Sequence, residues 1–459
     1  MKLISAGAAE TVTGSCHLLE INGLKVLIDC GLFQGGKKTE EKNYEDFPFN
    51  VQDIDIVLIT HGHLDHIGRL PILLNKGYKG DILATNSTNH IAEVILKDSA
   101  KIQQEDYKRN LRKAQRKGKE GKVREPLYTT DDIPQVLSSL KRIEFNEDIH
   151  LGNKVVAKFR PSGHILGSAF IEINSPEGKI IFSGDLGNYE SSLQADARPP
   201  TEADIVVIET TYGNRNHRSM AATEAEFREL LQNAVQKQGK IMIPSFALER
   251  TQVILHQILK QQQNKQIGKL PIYLDSPMAT KFTKLYQACA NEFIEPIKQE
   301  LERGIDPFEP DVLEYTVTTE QSKSINSAKG LTIIIAGSGM MSGGRITHHL
   351  KHNLWRKNAC LIVVGYQAEG SLGRLLVDGR KKVKIHGETI AVRAEIKTIG
   401  GFSAHADKDD LLKWISTTGN AKAYLVHGEP KVMKSFKQSL NEKGRKAEIV
   451  KWGKEYQLN

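Results

Sequence analysis

Short apolar runs that stop at glycine, a carboxylate or histidine punctuate the first half of the chain. Stretches 25–29, 54–60, 154–160, 168–173, 179–183 and 205–208 have the length and β-branched content of strands. Four of them run straight into polar turns, at Cys30 and Gly31, at His61, at Gly184 and Asp185, and at Glu209. An apolar repeat of helical period covers 88–113. From about 220 to 385 the pattern changes. Helical stretches 221–237, 247–264 and 278–300 alternate with apolar runs 240–243, 271–274, 331–335 and 360–364, as in a parallel sheet covered by helices. After 390 the strand-then-turn style returns: 394–399 leads to Gly400 and His405, and 421–426 leads to His427. If His405 and His427 belong to the site of the first half, this order predicts one α/β domain, 1–209 and 391–459, interrupted by an inserted domain at 210–390.

Composition narrows the function classes. A chain of 459 residues, 39% hydrophobic, is large enough for two cores. It contains no uncharged apolar run of the roughly 18 residues that a membrane span needs, so no membrane role is expected. Residues 1–7 turn polar and glycine-bearing too early for a secretory signal. The four cysteines form no C-x-x-C pair, which argues against a disulfide framework or a thiolate zinc site and fits a reducing cytoplasm. The net charge of +8 favours a polyanionic partner. Much of the excess lies in 108–124, with nine Lys or Arg against one Glu. There Arg112, Lys113, Arg116 and Lys117 recur on one helical face, either as a phosphate-tracking surface or as a solvated flank.

The chemistry concentrates in HGHLDH. His61, His63, Asp65 and His66 follow a strand within six residues, and a divalent cation satisfies such a crowd of imidazole and carboxylate where packing does not. His61 and His63, two apart on an extended turn, can face one ion. Asp65 and His66, where a helix can begin, can face a second. His164, Asp185 and His427 each lie just beyond an apolar strand, where loops converge over a sheet edge. Nitrogen and oxygen donors without thiolates suit Zn²⁺, with Mn²⁺ or Fe²⁺ as substitutes.

With the strings ETTYGNR at 209–215, PSFA at 244–247, GSGMMSGGR at 337–345 and FSAHAD at 402–407, this set resembles the β-CASP nuclease branch of the metallo-β-lactamase superfamily. The resemblance spans nearly the whole chain. It implies an αββα sandwich interrupted by a β-CASP domain with a parallel sheet flanked by helices. It also implies two zinc ions per chain: one on His61, His63 and His164, the other on Asp65, His66 and His427, with Asp185 between them. The activity implied is endonucleolytic hydrolysis of RNA, single-stranded by preference, by a metal-activated water that Asp65 orients. His405 would then be the general acid and Glu209 the carboxylate that holds its ring. A homo-oligomer is compatible with this reading.

The inserted block is expected to supply substrate contacts. Ser245 and Arg250 sit near the start of a helix, where backbone N–H groups can take a phosphate. Ser338 and Arg345 belong to a glycine-rich loop suited to an anion nest. No nucleotide P-loop motif is present. His348 and His349, adjacent and therefore on different faces, read as helix surface; Met340 and Met341 read as loop packing. Three other readings compete. A DNA nuclease would share the fold. A thioester or lactone hydrolase would not need the insert. A non-catalytic nucleic-acid binder would not keep every ligand position filled.

Overall fold

The early strands pair into two sheets whose apolar faces meet. In the computed structural model, which describes all residues except 120, 122, 290, 291, 329, 366, 368, 369 and 459, the chain divides into two compact units. The first comprises Met1–Tyr189, Asp196–Asn216 and His405–Asn459. Its first sheet runs, edge to edge, Glu455–Gln457, Lys2–Ser5, His17–Ile21, Leu24–Ile28, Ile56–Leu58, Ile82–Thr85 and Leu140–Ile143. The hairpin between the third and fourth of these turns at Asn22 and Gly23, both at positive φ, as a tight hairpin turn requires. The second sheet runs Ala447–Ile449, Lys422–Val426, Ile205–Glu209, Gly178–Phe182, Ala169–Ser175, Val155–Pro161 and Ile149–Gly152. Leu19, Val26, Ile28, Phe159, Ile171, Phe182 and Val207 fill the space between the sheets. Helices Leu70–Asn75 and Asn86–Gln115 cover the outer face of the first sheet, burying Leu70, Leu73, Ala92 and Leu96. Helices Lys408–Ser416 and Pro430–Glu442 cover the second through Trp414, Met433 and Phe436. The result is the αββα sandwich expected.

Register explains why distant residues share one edge. Leu24–Ile28 and Ile56–Leu58 are parallel with Ile28 opposite Leu58, so Asp29 and the loop at His61 emerge together. Ile205–Glu209 and Lys422–Val426 are parallel with Glu209 opposite Val426, so Glu209 and His427 emerge together. Gly178–Phe182 runs parallel to Ile205–Glu209 and delivers Asp185 to the same edge.

The second unit comprises Glu190–Ala195 and His217–Ala404. Its sheet is parallel throughout, in the order Leu313–Tyr315, Ile272–Asp275, Thr332–Ala336, Lys240–Pro244, Cys360–Val364 and Glu395–Ile399. The last strand differs from expectation. It pairs with Cys360–Val364, so the chain re-enters the first unit at His405 rather than at 391. The helix expected over 278–300 is two, Pro277–Ala288 and Glu295–Glu302, the second opening with a proline in its first turn. The helix expected from 247 begins at Arg250, because Glu249 before it holds φ at +62°.

Asp275, at the end of Ile272–Asp275, organises this unit and corrects two expectations. Its buried carboxylate accepts hydrogen bonds from Thr316 Oγ1 at 2.6 Å, Ser322 Oγ at 2.6 Å, His349 Nε2 at 2.6 Å and Arg345 Nη1 at 2.7 Å. His349 is fully buried, not on a helix surface. Arg345 also donates to the carbonyls of Thr316 and Val317, so its guanidinium serves the fold rather than standing free for phosphate. Burial opposes ionisation of Asp275, but the bonds from His349, Ser322, Thr316 and Arg345 outweigh it and hold the pKa to about 2. The stabilisation is therefore complete above the ordinary carboxylate range and is lost only as pH falls toward 2. Asp275→Ala should lower unfolding stability by about 3–5 kcal/mol, since it strands the partly buried Arg345 guanidinium and leaves the buried His349, Thr316 and Ser322 without their acceptor. Denaturant melts checking this should show a clear fall in midpoint; an unchanged midpoint would deny Asp275 that role.

Candidate active site

The HGHLDH loop has the two-part geometry its spacing implies. His61 lies three residues past the strand Ile56–Leu58, and His63, on extended backbone, caps the short helix Leu64–Ile67, which carries Asp65 in its first turn and His66 in its last. Neighbouring backbone pins the loop: Ser15 N donates to Asp65 O at 2.8 Å and Cys30 N to His66 O at 2.8 Å. The approach is so close at Gly31 that a Cβ there would fall 1.5 Å from the Asp65 carbonyl oxygen.

All seven expected ligands gather at this edge. Ligand atoms of His61, His63, His164 and Asp185 lie within 4.8 Å of one another, as do those of Asp65, His66 and His427. His63 Nδ1 is 3.1 Å from His61 Nε2 and 3.2 Å from His164 Nε2. Asp185 divides its oxygens between the groups. Oδ2 faces His61 Nε2 and His164 Nε2, each at 3.6 Å, and Oδ1 faces His66 Nε2 and His427 Nδ1, each at 3.5 Å. A tetrahedral zinc with bonds of about 2.0–2.1 Å sets its ligand atoms about 3.3 Å apart, so these spacings fit a cation. Among the described residues, the buried His66 Nε2, His427 Nε2 and Asp185 Oδ1 make no hydrogen bond, and their nearest charged neighbours stand off at 3.5 Å. Donors and acceptors left so in a protein interior are costly unless an ion takes them.

Electrostatics separates the histidines. Burial pushes His61 well below its ordinary value, with the His66 charge adding to the effect, and burial pushes His63 down to about 4. Both are therefore neutral and have lone pairs to give. Burial opposes protonation of His66 as well, but the carboxylates of Asp185 and Asp29 outweigh it and hold the ring well above the usual range. In the same way burial opposes ionisation of Asp185, and the His427 and His66 cations overcome it.

Sequence reasoning missed the residues that aim these ligands. Asp29 accepts from His66 Nδ1 at 2.7 Å, from Thr60 N at 2.8 Å and from Thr60 Oγ1 at 2.9 Å. It holds φ at +59°, an uncommon conformation for a non-glycine residue. Thr211 Oγ1 lies 3.0 Å from His427 Nδ1, and His427 itself sits at φ +49°. The signal for Asp29 was its place, a carboxylate directly after the strand Leu24–Ile28.

His405 and Glu209 meet as a pair. His405 Nδ1 is 3.3 Å from Glu209 Oε1 and 3.9 Å from Asp185 Oδ2. Glu209 is fully buried and fixed by Leu186 N at 2.7 Å, while the His405 side chain keeps 22% exposure. Burial opposes the charged ring, but Glu209 outweighs it by charge and hydrogen bond and lifts His405 to about 10.

The expected substrate residues of the second unit are placed as follows. Ser245 is buried just past the strand Lys240–Pro244; its hydroxyl accepts from Thr251 Oγ1 at 3.0 Å and donates to Phe246 O at 3.2 Å. Arg250 opens the helix Arg250–Gln263 with its buried Nε 3.6 Å from Glu249 Oε2, an ion pair too long for a hydrogen bond. Ser338 donates through both N and Oγ to Gly343 O, each at 3.4 Å, closing the glycine-rich loop on itself.

Three family models cover this architecture: the metallo-beta-lactamase superfamily over residues 10–232, the Beta-Casp domain over 251–376, and a Zn-dependent metallo-hydrolase RNA specificity domain over 389–450. The chain belongs to the metallo-beta-lactamase superfamily, in the branch that carries a Beta-Casp domain. A ribonuclease of Thermus thermophilus is 39% identical over 99% of this chain and 99% of its own length. A transcription termination factor of Methanocaldococcus jannaschii is 29% identical over 97% of this chain and 69% of its own. Cleavage and polyadenylation specificity factor 73 of Drosophila melanogaster is 29% identical over 95% of this chain and 60% of its own. A solved structure of a protein of unknown function from Enterococcus faecalis, 12% identical, matches 99% of both chains with a TM-score of 0.54, a likeness of fold.

Proposed function

We propose that the chain is a zinc-dependent endoribonuclease. His61, His63 and His164 hold one zinc ion, Asp65, His66 and His427 hold the other, and Asp185 is shared between them. The observation that carries this is the division of the Asp185 carboxylate between two groups of imidazoles. When bound, the ions supply Lewis acidity to the phosphoryl oxygens and lower the pKa of a water. The chain's own residues do the rest. Asp65 orients the attacking water, and Asp29 and Thr211 fix the rings of His66 and His427. His405 delivers a proton to the leaving oxygen, and Glu209 holds the ring through Nδ1 so that Nε2 can donate. Ser245, Ser338 and Arg250 of the second unit contact substrate phosphates, Arg250 through the guanidinium nitrogens that Glu249 does not face.

RNA is favoured over DNA by the 39% identical ribonuclease and by the match to an RNA specificity domain. No helix among the described residues is long and apolar enough to cross a membrane. Among the described residues Cys16, Cys30, Cys289 and Cys360 form no disulfide, which fits a reducing, cytoplasmic setting.

The test uses end-labelled and internally labelled RNA beside matched DNA, with and without a chelator. Internal cuts in RNA should appear, vanish on chelation and return with Zn²⁺. Cleavage of DNA alone, or release of mononucleotides solely from an end, would overturn the reading.

A further inference from the structure

We propose that the distal part of the helix Asn86–Gln115, with the turn after it, is an arm that binds single-stranded RNA away from the cleavage site, and that Tyr44 and Arg124 at its foot stack a base. The inference rests on the ribonuclease reading for its ligand and on the first unit alone for its geometry.

The helix is longer than its packing requires. It has 30 residues, about 45 Å at 1.5 Å each. Its proximal half is core: Thr88, Ile91, Ala92, Leu96 and Ala100 are buried, and none of its residues beyond Ala100 is. Residues 101–115 therefore gain little from burial, although most helical stability comes from a packed apolar face. What they carry is charge. From 108 to 119 the sequence reads KRNLRKAQRKGK, seven cations and no carboxylate. Among the described residues of this stretch only Arg109 has an acidic partner, Asp106 at 2.7 Å. Arg109, Arg112, Lys113 and Arg116 are three or four apart, so they share a face and repel one another. A polyanion lying along that face relieves the repulsion and releases its own counterions.

The foot of the arm favours RNA over an acidic peptide. The chain returns to the body where Leu127 N donates to Gln103 Oε1 at 3.0 Å and Tyr128 Oη meets Ser99 Oγ at 2.8 Å. Just before this return, the Arg124 guanidinium lies 4.2 Å from the centre of the Tyr44 ring, which is 47% exposed. Both border an open pocket of about 280 Å³ together with Asn43, Lys76 and Leu127 and with two carboxylates, Glu45 and Glu125. A cation stacked on an exposed aromatic, beside a pocket small enough for one planar group, is a platform for a base. An acidic peptide would meet Glu45 and Glu125 there, whereas the edge of a neutral base can donate to them.

Distance sets the role. The helix starts against the metal-ligand loop: a Cβ on Gly62 would lie 2.4 Å from Ile91 Cγ2. From Ile91 to Arg112 the helix rises about 32 Å. The arm's cations therefore cannot reach a phosphate held at the ligand cluster. They reach only an RNA long enough to span that distance, so the arm selects for length.

The experiment compares wild type, a variant carrying Arg112→Glu, Lys113→Glu, Arg116→Glu and Lys117→Glu together, and Tyr44→Leu. The probes are a long unstructured RNA, an oligoribonucleotide too short to span the arm, and polyglutamate. Binding is measured across a salt series and cleavage at one salt. The charge variant should bind long RNA at least about tenfold more weakly at low salt, with a log–log salt slope shallower by about 3, at ~0.7 per phosphate contact for a single strand. Its kcat/KM on the short oligonucleotide should stay at the wild-type level. Tyr44→Leu should weaken long-RNA binding with the slope unchanged. An unaltered slope in the charge variant, or an equal loss on short and long RNA, overturns the arm. Polyglutamate binding as tight as RNA binding, with Tyr44→Leu affecting neither, would assign the surface to an acidic protein. Wild-type cleavage of the short oligonucleotide reports separately on the ribonuclease reading, which survives if only the arm fails.

Discussion

Asp185→Ala is expected to leave a folded protein that neither retains its divalent ions nor cleaves RNA. This carboxylate faces both imidazole groups at 3.5–3.6 Å, so on the proposed reading its removal would take a ligand from each group at once. It also removes the charge that helps keep buried His66 and His427 protonated, so the apo site itself must rearrange. The loss of kcat/KM should exceed the about 10–100-fold typical of residues that merely orient a metal ligand. Asp29→Asn gives the comparison, because Asp29 touches only one of these histidines, His66 at Nδ1, and its other bonds are to Thr60 and Ser15; it should fall within that range. Metal analysis of the purified variants, with circular dichroism as a check on folding, separates the cases. Retention of both ions by Asp185→Ala at wild-type affinity would remove Asp185 from the shared position.

The candidate site was legible in the sequence because its ligands mark the ends of strands. HGHLDH announces itself by density, and His164, Asp185 and His427 each follow an apolar run. What strand ends cannot disclose is register. Glu209 and His427 share an edge only because Glu209 pairs with Val426, more than two hundred positions away. Asp29 was read as the last residue of a strand, since nothing local announces its positive φ or its bond to His66. The run 394–399 has the apolar pattern of a strand in either unit, and pattern alone does not say which sheet it joins. Arg345 illustrates the limit most clearly. Beside a glycine-rich loop a free guanidinium suggests phosphate, but its partner, Asp275, lies seventy residues earlier on a buried strand end.

His405→Ala should lower turnover by about 10²–10⁴-fold, the range for a lost general acid, while zinc content and RNA affinity stay close to wild type. The split follows from position. His405 belongs to neither group of converging ligand atoms, and its Nδ1 is committed to the Glu209 carboxylate at 3.3 Å. Glu209→Gln should give a smaller loss, because an amide oxygen can still accept from the ring while the balancing negative charge is gone. The decisive control is a phosphodiester with a p-nitrophenolate leaving group, which departs without needing a proton. On that substrate His405→Ala should approach wild-type turnover. An equal loss on both substrates would place His405 in binding or in the scaffold, and loss of zinc along with activity would place it among the ligands. Either result would leave the leaving oxygen without a proton donor from this chain and would end the acid–base half of the mechanism.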